Sequence, residues 1–431
     1  MKLLIDNLSI IPMTEDNLVI DQGYILIEDD RIELIGEGDS PQIEYDVRLD
    51  GTDQVAMPGF INAHTHAAMT LLRGYADDLP LMEWLEKKIW PLEARLTGED
   101  IYWGTMLAMV EMIKSGTTCF ADMYFFMEEV AQAVDKAGMR AVLSRGMIGV
   151  GPENDLAISD SRQLIKKWNG ASQGRISFIL GPHAPYTCPP DYLRKVMALA
   201  DETGVGMHIH LAETAHEAAE SLAIYGKTPI DHMESIGLFR HPVLAAHCVH
   251  VTDQDIDILA RYGVGVAHNP ESNMKLASGI APVPAMLKAG IPVALGTDGA
   301  SSNNNLDMLQ EMRTCALLHK VNTMDPTTVP AYQALQMATA NGARALKIDH
   351  QVGKLQPGKK ADLILLGINE AHSIPHYDLI ANLVYSAQAG DVNTVIIDGR
   401  IIMQDRQIKT IDEREIIREA KLVAARLVDQ S

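Results

Sequence analysis

The sequence predicts an α/β fold: a (β/α)8 TIM-like barrel with a small β-sandwich domain formed from both chain termini. Three observations predict it. Between residues 57 and 348, short apolar runs alternate with amphipathic stretches, the rhythm of parallel strands each followed by a helix. Both ends of the chain carry instead short β-rich runs separated by polar turns. Histidine and aspartate collect where the middle runs end, the C-terminal barrel face on which active sites form. A doubly wound open sheet is the alternative that the alternation alone allows.

At the N-terminal end, Leu18-Val-Ile-Asp-Gln-Gly-Tyr-Ile-Leu-Ile27, the turn Asp29-Asp30-Arg31 and Ile32-Glu-Leu-Ile35 predict a hairpin. The eight barrel strands are expected at 60–64, 117–122, 140–145, 176–183, 205–211, 243–248, 263–268 and 292–298. Among the helices between them, Trp103, Met106, Leu107, Val110 and Ile113 form one stripe, which Ser115-Gly116 stops. The β pattern returns in Ala361-Asp-Leu-Ile-Leu-Leu366 and Val395-Ile-Ile-Asp-Gly-Arg-Ile-Ile402, where Asp398-Gly399 makes a tight-turn pair. Residues 1–56 and 349–410 therefore predict one discontinuous β domain beside a barrel of 57–348. Residues 411–431 predict a last helix, with Asp412 as N-cap, Glu415 completing a capping box, and a docking stripe of Ile416, Ala420, Val423 and Leu427.

A chain of 431 residues, 47% hydrophobic, buries a large core. Its net charge of −21 argues against nucleic-acid and anionic-membrane partners, which phosphate repulsion would drive off. Met1-Lys2-Leu3-Leu4-Ile5 is broken at once by Asp6 and Asn7, so no signal peptide is expected, and no apolar stretch reaches bilayer length. Cys119, Cys188, Cys248 and Cys315 lack zinc-finger spacing and read as reduced, buried thiols of a cytoplasmic protein. The 22 methionines read as core filling.

The chemistry starts at Met57-Pro-Gly-Phe-Ile-Asn-Ala-His-Thr-His66, where period-2 alternation sends His64 and His66 to one face at a strand end. The fourth run ends in Gly181-Pro-His183 and the fifth in Met207-His-Ile-His-Leu-Ala-Glu213; the sixth ends at Ala246-His247 and the eighth at Gly296-Thr-Asp298. His208, deeper in its strand, reads as part of an interior layer, and His250 and His268 as polar residues near the rim. His64, His66, His210 and Asp298 make a nitrogen/oxygen set suited to zinc or ferrous iron. Such a set leaves a position for water, whose pKa a bound cation lowers toward neutrality. A binuclear site needs a bridging group, and the fourth run offers His183 instead, so one divalent metal per subunit is expected. Glu213, three residues after His210, suits a carrier that moves a proton from water to a substrate ring nitrogen. Asp298, ligand as well as base, takes the second proton. His247 orients the water or stabilises developing charge, or else adds a ligand.

Pro58-Gly-Phe-Ile-Asn-Ala-His-Thr-His66, the His-Leu-Ala-Glu run ending at Glu213, His247 in Ala-His-Cys and Gly296-Thr-Asp298 resemble the metal-dependent amidohydrolase superfamily, across nearly the whole chain. Gly358-Lys-Lys-Ala-Asp-Leu363 looks like that family's return into its flanking β domain. Within it, Leu81-Met-Glu-Trp-Leu-Glu-Lys-Lys-Ile-Trp-Pro-Leu-Glu93, Gly181-Pro-His-Ala-Pro-Tyr186 and Ser272-Asn-Met-Lys-Leu-Ala-Ser-Gly279 resemble the 5-methylthioadenosine/S-adenosylhomocysteine deaminases. That resemblance implies hydrolytic deamination of adenine nucleosides to the inosine analogue and ammonia, zinc as the usual metal, and a homo-oligomer. It implies that Glu93 accepts hydrogen bonds from the ribose hydroxyls and that His183 bonds the purine or sugar. Arg145 is similar in position to an arginine that meets the amino-acid carboxylate of S-adenosylhomocysteine. A second such arginine has no clear counterpart, Arg162 being the nearest. Trp84 and Trp90 are expected to pack their helix. The rival reactions are guanine or cytosine deamination and triazine dechlorination. The rival of another kind is a non-catalytic relative acting as a binding protein, against which the retained ligands and Glu213 speak.

Overall fold

The computed structural model describes residues 1–79, 81–150 and 154–429. Eight parallel strands follow one another in chain order around a nearly closed barrel. They are Phe60–Thr65, Thr117–Tyr124, Arg140–Met147, Ile176–Pro182, Met207–Leu211, Val243–His247, Gly265–His268 and Val293–Leu295. Every residue of the first, second, fifth, sixth, seventh and eighth is buried, as strands covered on both faces require. The last strand is shorter than the apolar run that predicts it. The chain leaves extended geometry after Leu295 and reaches a left-handed turn at Asp298 (φ 60°). There the barrel closes: the Asp298 N–H donates to the His64 carbonyl at 2.9 Å, and the Thr297 N–H to Asn62 Oδ1 at 3.0 Å.

The two chain ends share a nine-stranded mixed sheet. Its seam is the antiparallel pairing of Gln54–Pro58 with Leu363–Gly367, Pro58 opposite Leu363. Leu3, Ile5, Ile25, Ile27, Leu363, Leu365 and Ile396 form its own apolar core. The hairpin strands are Ile20–Glu28 and Arg31–Glu37, and Val392–Ile397 turns to Arg400–Gln404 through Asp398 (φ 54°) and Gly399 (φ 72°). Two consecutive positive φ values are what an Asp-Gly hairpin turn supplies.

The helix Gly98–Lys114 begins at a capping box between Thr97 and Asp100, and buries Met106, Val110 and Ile113 of the expected stripe. The last helix, Glu413–Asp429, starts where Asp412 Oδ1 accepts the N–H groups of Arg414 and Glu415. It buries Ile416, Ala420, Val423 and Leu427. Residues 430 and 431 of the predicted helix lie outside the described residues. Among the described residues no helix is long and apolar enough to cross a membrane.

A buried charge network ties barrel to sheet at the end opposite the histidines. Arg140, opening the third strand, donates to Asp362 (2.7 and 3.1 Å) and to Asp398 (3.3 Å), and Lys360 meets Asp398 at 2.9 Å. Removing one member leaves the others charged and dry, which costs about 3–5 kcal/mol. Arg140→Ala is therefore expected to lower unfolding stability by about that amount in urea titrations, with the metal content of the folded fraction unchanged.

Candidate active site

Three strand ends bring the four predicted ligands together. Asp122, on the second strand, accepts from the Thr65 hydroxyl (2.9 Å) and the Ala67 N–H (2.7 Å), which fixes the segment carrying His64 and His66. His66 Nε2 lies 3.3 Å from His210 Nε2 and 3.3 Å from Asp298 Oδ1, and His64 Nε2 lies 3.5 Å from the same carboxylate oxygen. The donor atoms of His64, His66 and His210 lie within 4.8 Å of one another, as do those of His64, His247 and Asp298. Burial pushes His64 down to about 4 and His210 well below the usual imidazole range, so both are neutral. Burial alone would raise Asp298, but the histidines around it, His64 first and then His66 and His247, hold it well below the usual carboxylate range. Asp298 also accepts from the Ser272 hydroxyl at 2.6 Å and the Gly299 N–H at 2.8 Å.

Glu213 and His247 stand beside this set, with Glu213 Oε2 3.9 Å from His247 Nε2. Burial raises the Glu213 carboxyl. Burial opposes protonation of His247, yet the carboxylates of Glu213 and Asp298 and the bond to Asn273 Oδ1 (2.9 Å) together raise it. His247 (φ 73°) and Asp298 (φ 60°) both occupy the left-handed region, a strain concentrated at the site.

One cavity is lined by His66, His210, Glu213, His247 and Asp298 together with Glu93, His183, Trp84, Trp90 and Tyr124. Glu93 comes from the helical segment 81–93, which widens to a π-turn at Leu85–Ile89. Its carboxylate accepts from the Tyr124 hydroxyl at 2.6 Å, and burial raises it. His183 bonds Thr187 Oγ1 through Nδ1 at 2.9 Å, and burial lowers it to about 4. Trp84 and Trp90 do more than pack their helix, since both face this cavity. An adjoining chamber shares Trp90, Glu93, Phe125 and Ile148 with it and holds Arg145, Asp160, Glu128 and Lys167. Arg145 meets Asp160 at 3.3 Å. Arg162 is not part of either chamber's lining: it forms an exposed ion pair with Glu202 at 2.7 Å. Helical geometry turns residue 162 away and brings Lys167, five residues on, to the chamber instead.

Comparison with known proteins matches residues 55–402 to the amidohydrolase family. A 5-methylthioadenosine/S-adenosylhomocysteine deaminase of Syntrophomonas wolfei is 66% identical over 99% of this chain and 100% of its own length. One of Desulforamulus reducens is 55% identical over 99% of each chain. The chain belongs to the amidohydrolase family, among the 5-methylthioadenosine/S-adenosylhomocysteine deaminases. A structure of an adenosine deaminase from Xanthomonas campestris with bound zinc superposes on this amidohydrolase at a TM-score of 0.95, with 34% identity over 99% of this chain and 98% of that one. An atrazine chlorohydrolase from Arthrobacter aurescens TC1 complexed with zinc shares the fold at a TM-score of 0.91 and 23% identity, covering 98% of this chain and 100% of that one.

The residues present fit a divalent metal. A ligating histidine needs its other nitrogen tethered, so that a lone pair points inward. His66 Nδ1 donates to the Met123 carbonyl (2.6 Å) and His210 Nδ1 to the His183 carbonyl (2.7 Å). His64 Nδ1 lies 2.8 Å from His208 Nε2, while its own buried Nε2 has no hydrogen-bond partner. A second group, His268, Cys315 and His319, has donor atoms equally close. It fails the same test: His268 Nδ1 and His319 Nδ1 are buried without partners. The rim histidine His250 is a satisfied polar residue, donating to the Ser278 carbonyl at 2.7 Å.

Ser272 and Asn273 are legible only as parts of a family-like run, and Tyr124 lies beyond the expected run 117–122, because nothing local marks them as partners of Asp298, His247 and Glu93. His208 was assigned to the interior layer, where it lies, but its contact with His64 is a tertiary fact. His208→Ala is expected to weaken metal affinity by about 10–100-fold in chelator competition. At Gly296 an added Cβ would lie 2.4 Å from Asn269 Oδ1 and 2.9 Å from the His64 backbone nitrogen. Gly296→Ala is accordingly expected to fold with substoichiometric metal, read by elemental analysis.

Proposed function

We propose that this amidohydrolase hydrolytically deaminates adenine nucleosides, 5′-methylthioadenosine and S-adenosylhomocysteine foremost and adenosine after them, releasing the inosine analogue and ammonia. The observation that carries the reading is Glu93. A carboxylate suited to the two hydrogens of a vicinal diol lines the same cavity as the histidine and carboxylate cluster. The similarity to 5-methylthioadenosine/S-adenosylhomocysteine deaminases, covering 100% and 99% of their lengths, supports the same substrates.

His64, His66, His210 and Asp298 would hold one divalent cation, zinc before ferrous iron given the zinc-bound adenosine deaminase of the same fold. Bound there, such an ion lowers the pKa of water toward neutrality and so supplies the nucleophile. The residues of the chain do the rest. Glu213, buried and raised, would take a proton from the attacking water and hand it to the purine ring nitrogen beside the carbon bearing the amino group. Protonation there makes the carbon electrophilic; water adds, the bond to the amino group breaks, and ammonia leaves with a second proton passed through Asp298. His247, with Nδ1 committed to Asn273, directs Nε2 at the attacking oxygen and steadies its charge. Glu93 holds the ribose, His183 the purine or sugar, and the aromatic walls exclude bulk water. Arg145 and Lys167 in the adjoining chamber offer two cations to the amino-acid carboxylate of S-adenosylhomocysteine, where the sequence shows no clear second arginine.

The same reading takes 57–348 as the catalytic domain and 1–56 with 349–410 as its β partner. It takes the active form as a homo-oligomer, and the compartment as the cytoplasm, consistent with four buried free cysteines.

Glu213→Gln is expected to retain metal while turnover falls by about 10²–10⁴-fold; near-normal activity would remove the proton-carrier assignment. In an ammonia-release screen, methylthioadenosine, S-adenosylhomocysteine and adenosine should be substrates. Glu93→Ala should raise KM for all three. Activity confined to guanine, cytosine or a chlorotriazine, indifferent to Glu93→Ala, would overturn the nucleoside reading.

A further inference from the structure

We propose that Glu217 is a positioning residue that clamps the kinked backbone between His210 and Glu213, and so aims the proton-carrying carboxylate. The inference rests on the role given to Glu213 above.

The fifth strand ends at Leu211, and Ala212 then adopts a left-handed conformation (φ 52°) that a side chain with a Cβ disfavours. That kink turns the chain so that Glu213 enters the cavity three residues after His210. The peptide is held from both sides. Its carbonyl accepts the N–H groups of Val249 (3.0 Å) and His250 (2.8 Å), from the segment that follows His247. Its N–H donates to Glu217 Oε1 at 2.8 Å, and the next N–H, that of Glu213, donates to Glu217 Oε2 at 2.9 Å. One carboxylate, 5% exposed, thus takes two consecutive backbone donors with its two oxygens. A carboxylate accepts at both oxygens; an amide presents one acceptor and one donor.

Two other helices of this chain show what such a residue does by default. In Thr97/Asp100 and Thr252/Asp255, the threonine caps the helix and the acid three residues on returns its carboxylate to the threonine N–H, at 2.9 and 2.8 Å. Thr214 begins in the same way, accepting the Glu217 N–H at 3.1 Å. The Glu217 carboxylate, one methylene longer than an aspartate, passes the cap and reaches Ala212 and Glu213. The acid is committed to the active-site strand end instead of to its own helix.

This contrast supplies the test. Glu217→Asp keeps the charge and can form the ordinary capping box with Thr214, so a residue needed only for its helix would tolerate the change. Steady-state kinetics on methylthioadenosine, metal analysis and thermal melting are compared for the full-length wild type, E217D, E217Q, E213Q and the double variant E213Q/E217D. The expected result is a loss of about 10–100-fold in kcat for E217D, a loss for E217Q as well, KM within about threefold, full metal and a cooperative melt that stays above the assay temperature. Because Glu217 acts through Glu213, E217D should cost nothing further in the E213Q background. Wild-type kcat in E217D and E217Q would overturn the inference. So would a kcat loss that only follows metal loss or unfolding, or a full additional loss in the double variant. An inactive E213Q beside a normal E217D would refute the clamp alone, whereas an active E213Q would refute the proton carrier and the clamp together.

Discussion

The constraint on which the rest of this structure depends is that the buried imidazoles of His64, His208 and His210 must stay neutral and directed in a crowd of rings. The His64 ring lies 4.9 Å from the rings of His66, His208 and His210, and 5.4 Å from that of His247. Charged rings at those distances in a dry interior would repel one another strongly. Burial keeps His64, His208 and His210 neutral at physiological pH, the protonation state in which an imidazole has a lone pair to give. Each ring that faces the centre then spends its second nitrogen on an outer partner. Those partners come from different parts of the barrel: Met123 and His208 from two strands, and His183 from just past a third.

Barrel closure serves the same centre. The hydrogen bond from Asp298 to the His64 carbonyl joins the last strand to the first, and it joins two of the residues proposed as ligands. Closing the sheet and assembling the site are one event at that position. The left-handed residues Ala212, His247 and Asp298 mark where strand ends bend to converge on one point. Their strain is tolerated because the surrounding peptides are bonded on both sides. At the opposite end, Arg140, Lys360, Asp362 and Asp398 carry a buried charge network with no access to the cavity. Stability and chemistry occupy opposite faces of the barrel, so polar residues at one face can be costly without disturbing the other.

How much of this was legible varies with the length scale of the signal. The eight strand runs and their order were readable because a fully buried strand leaves a local apolar signature. His64, His66, His210 and Asp298 were readable because strand ends are marked by the turn that follows. Where signals look alike locally, the sequence misled or stayed silent. Arg162 and Lys167 lie on one helix, and only packing shows which reaches the chamber. His268 pairs with His319 inside the core at 3.2 Å, where the sequence suggests a rim residue. Thr214 and Glu217 spell the same cap-like spacing as Thr97 and Asp100, yet the two acids reach different partners.

The sequence by itself determined the barrel, the discontinuous sheet at its side, the positions of the four converging side chains and the family. Those properties follow from periodicity and from residue types at strand ends, which are local. Only the tertiary structure decided which nitrogen of each histidine is free, which backbone groups the Glu217 carboxylate reaches, and that Lys167 lines the chamber of Arg145. These are questions of direction and distance between segments remote in sequence. A hydrogen bond between residues 144 positions apart, such as that joining His64 to His208, leaves no periodic trace in the chain that forms it.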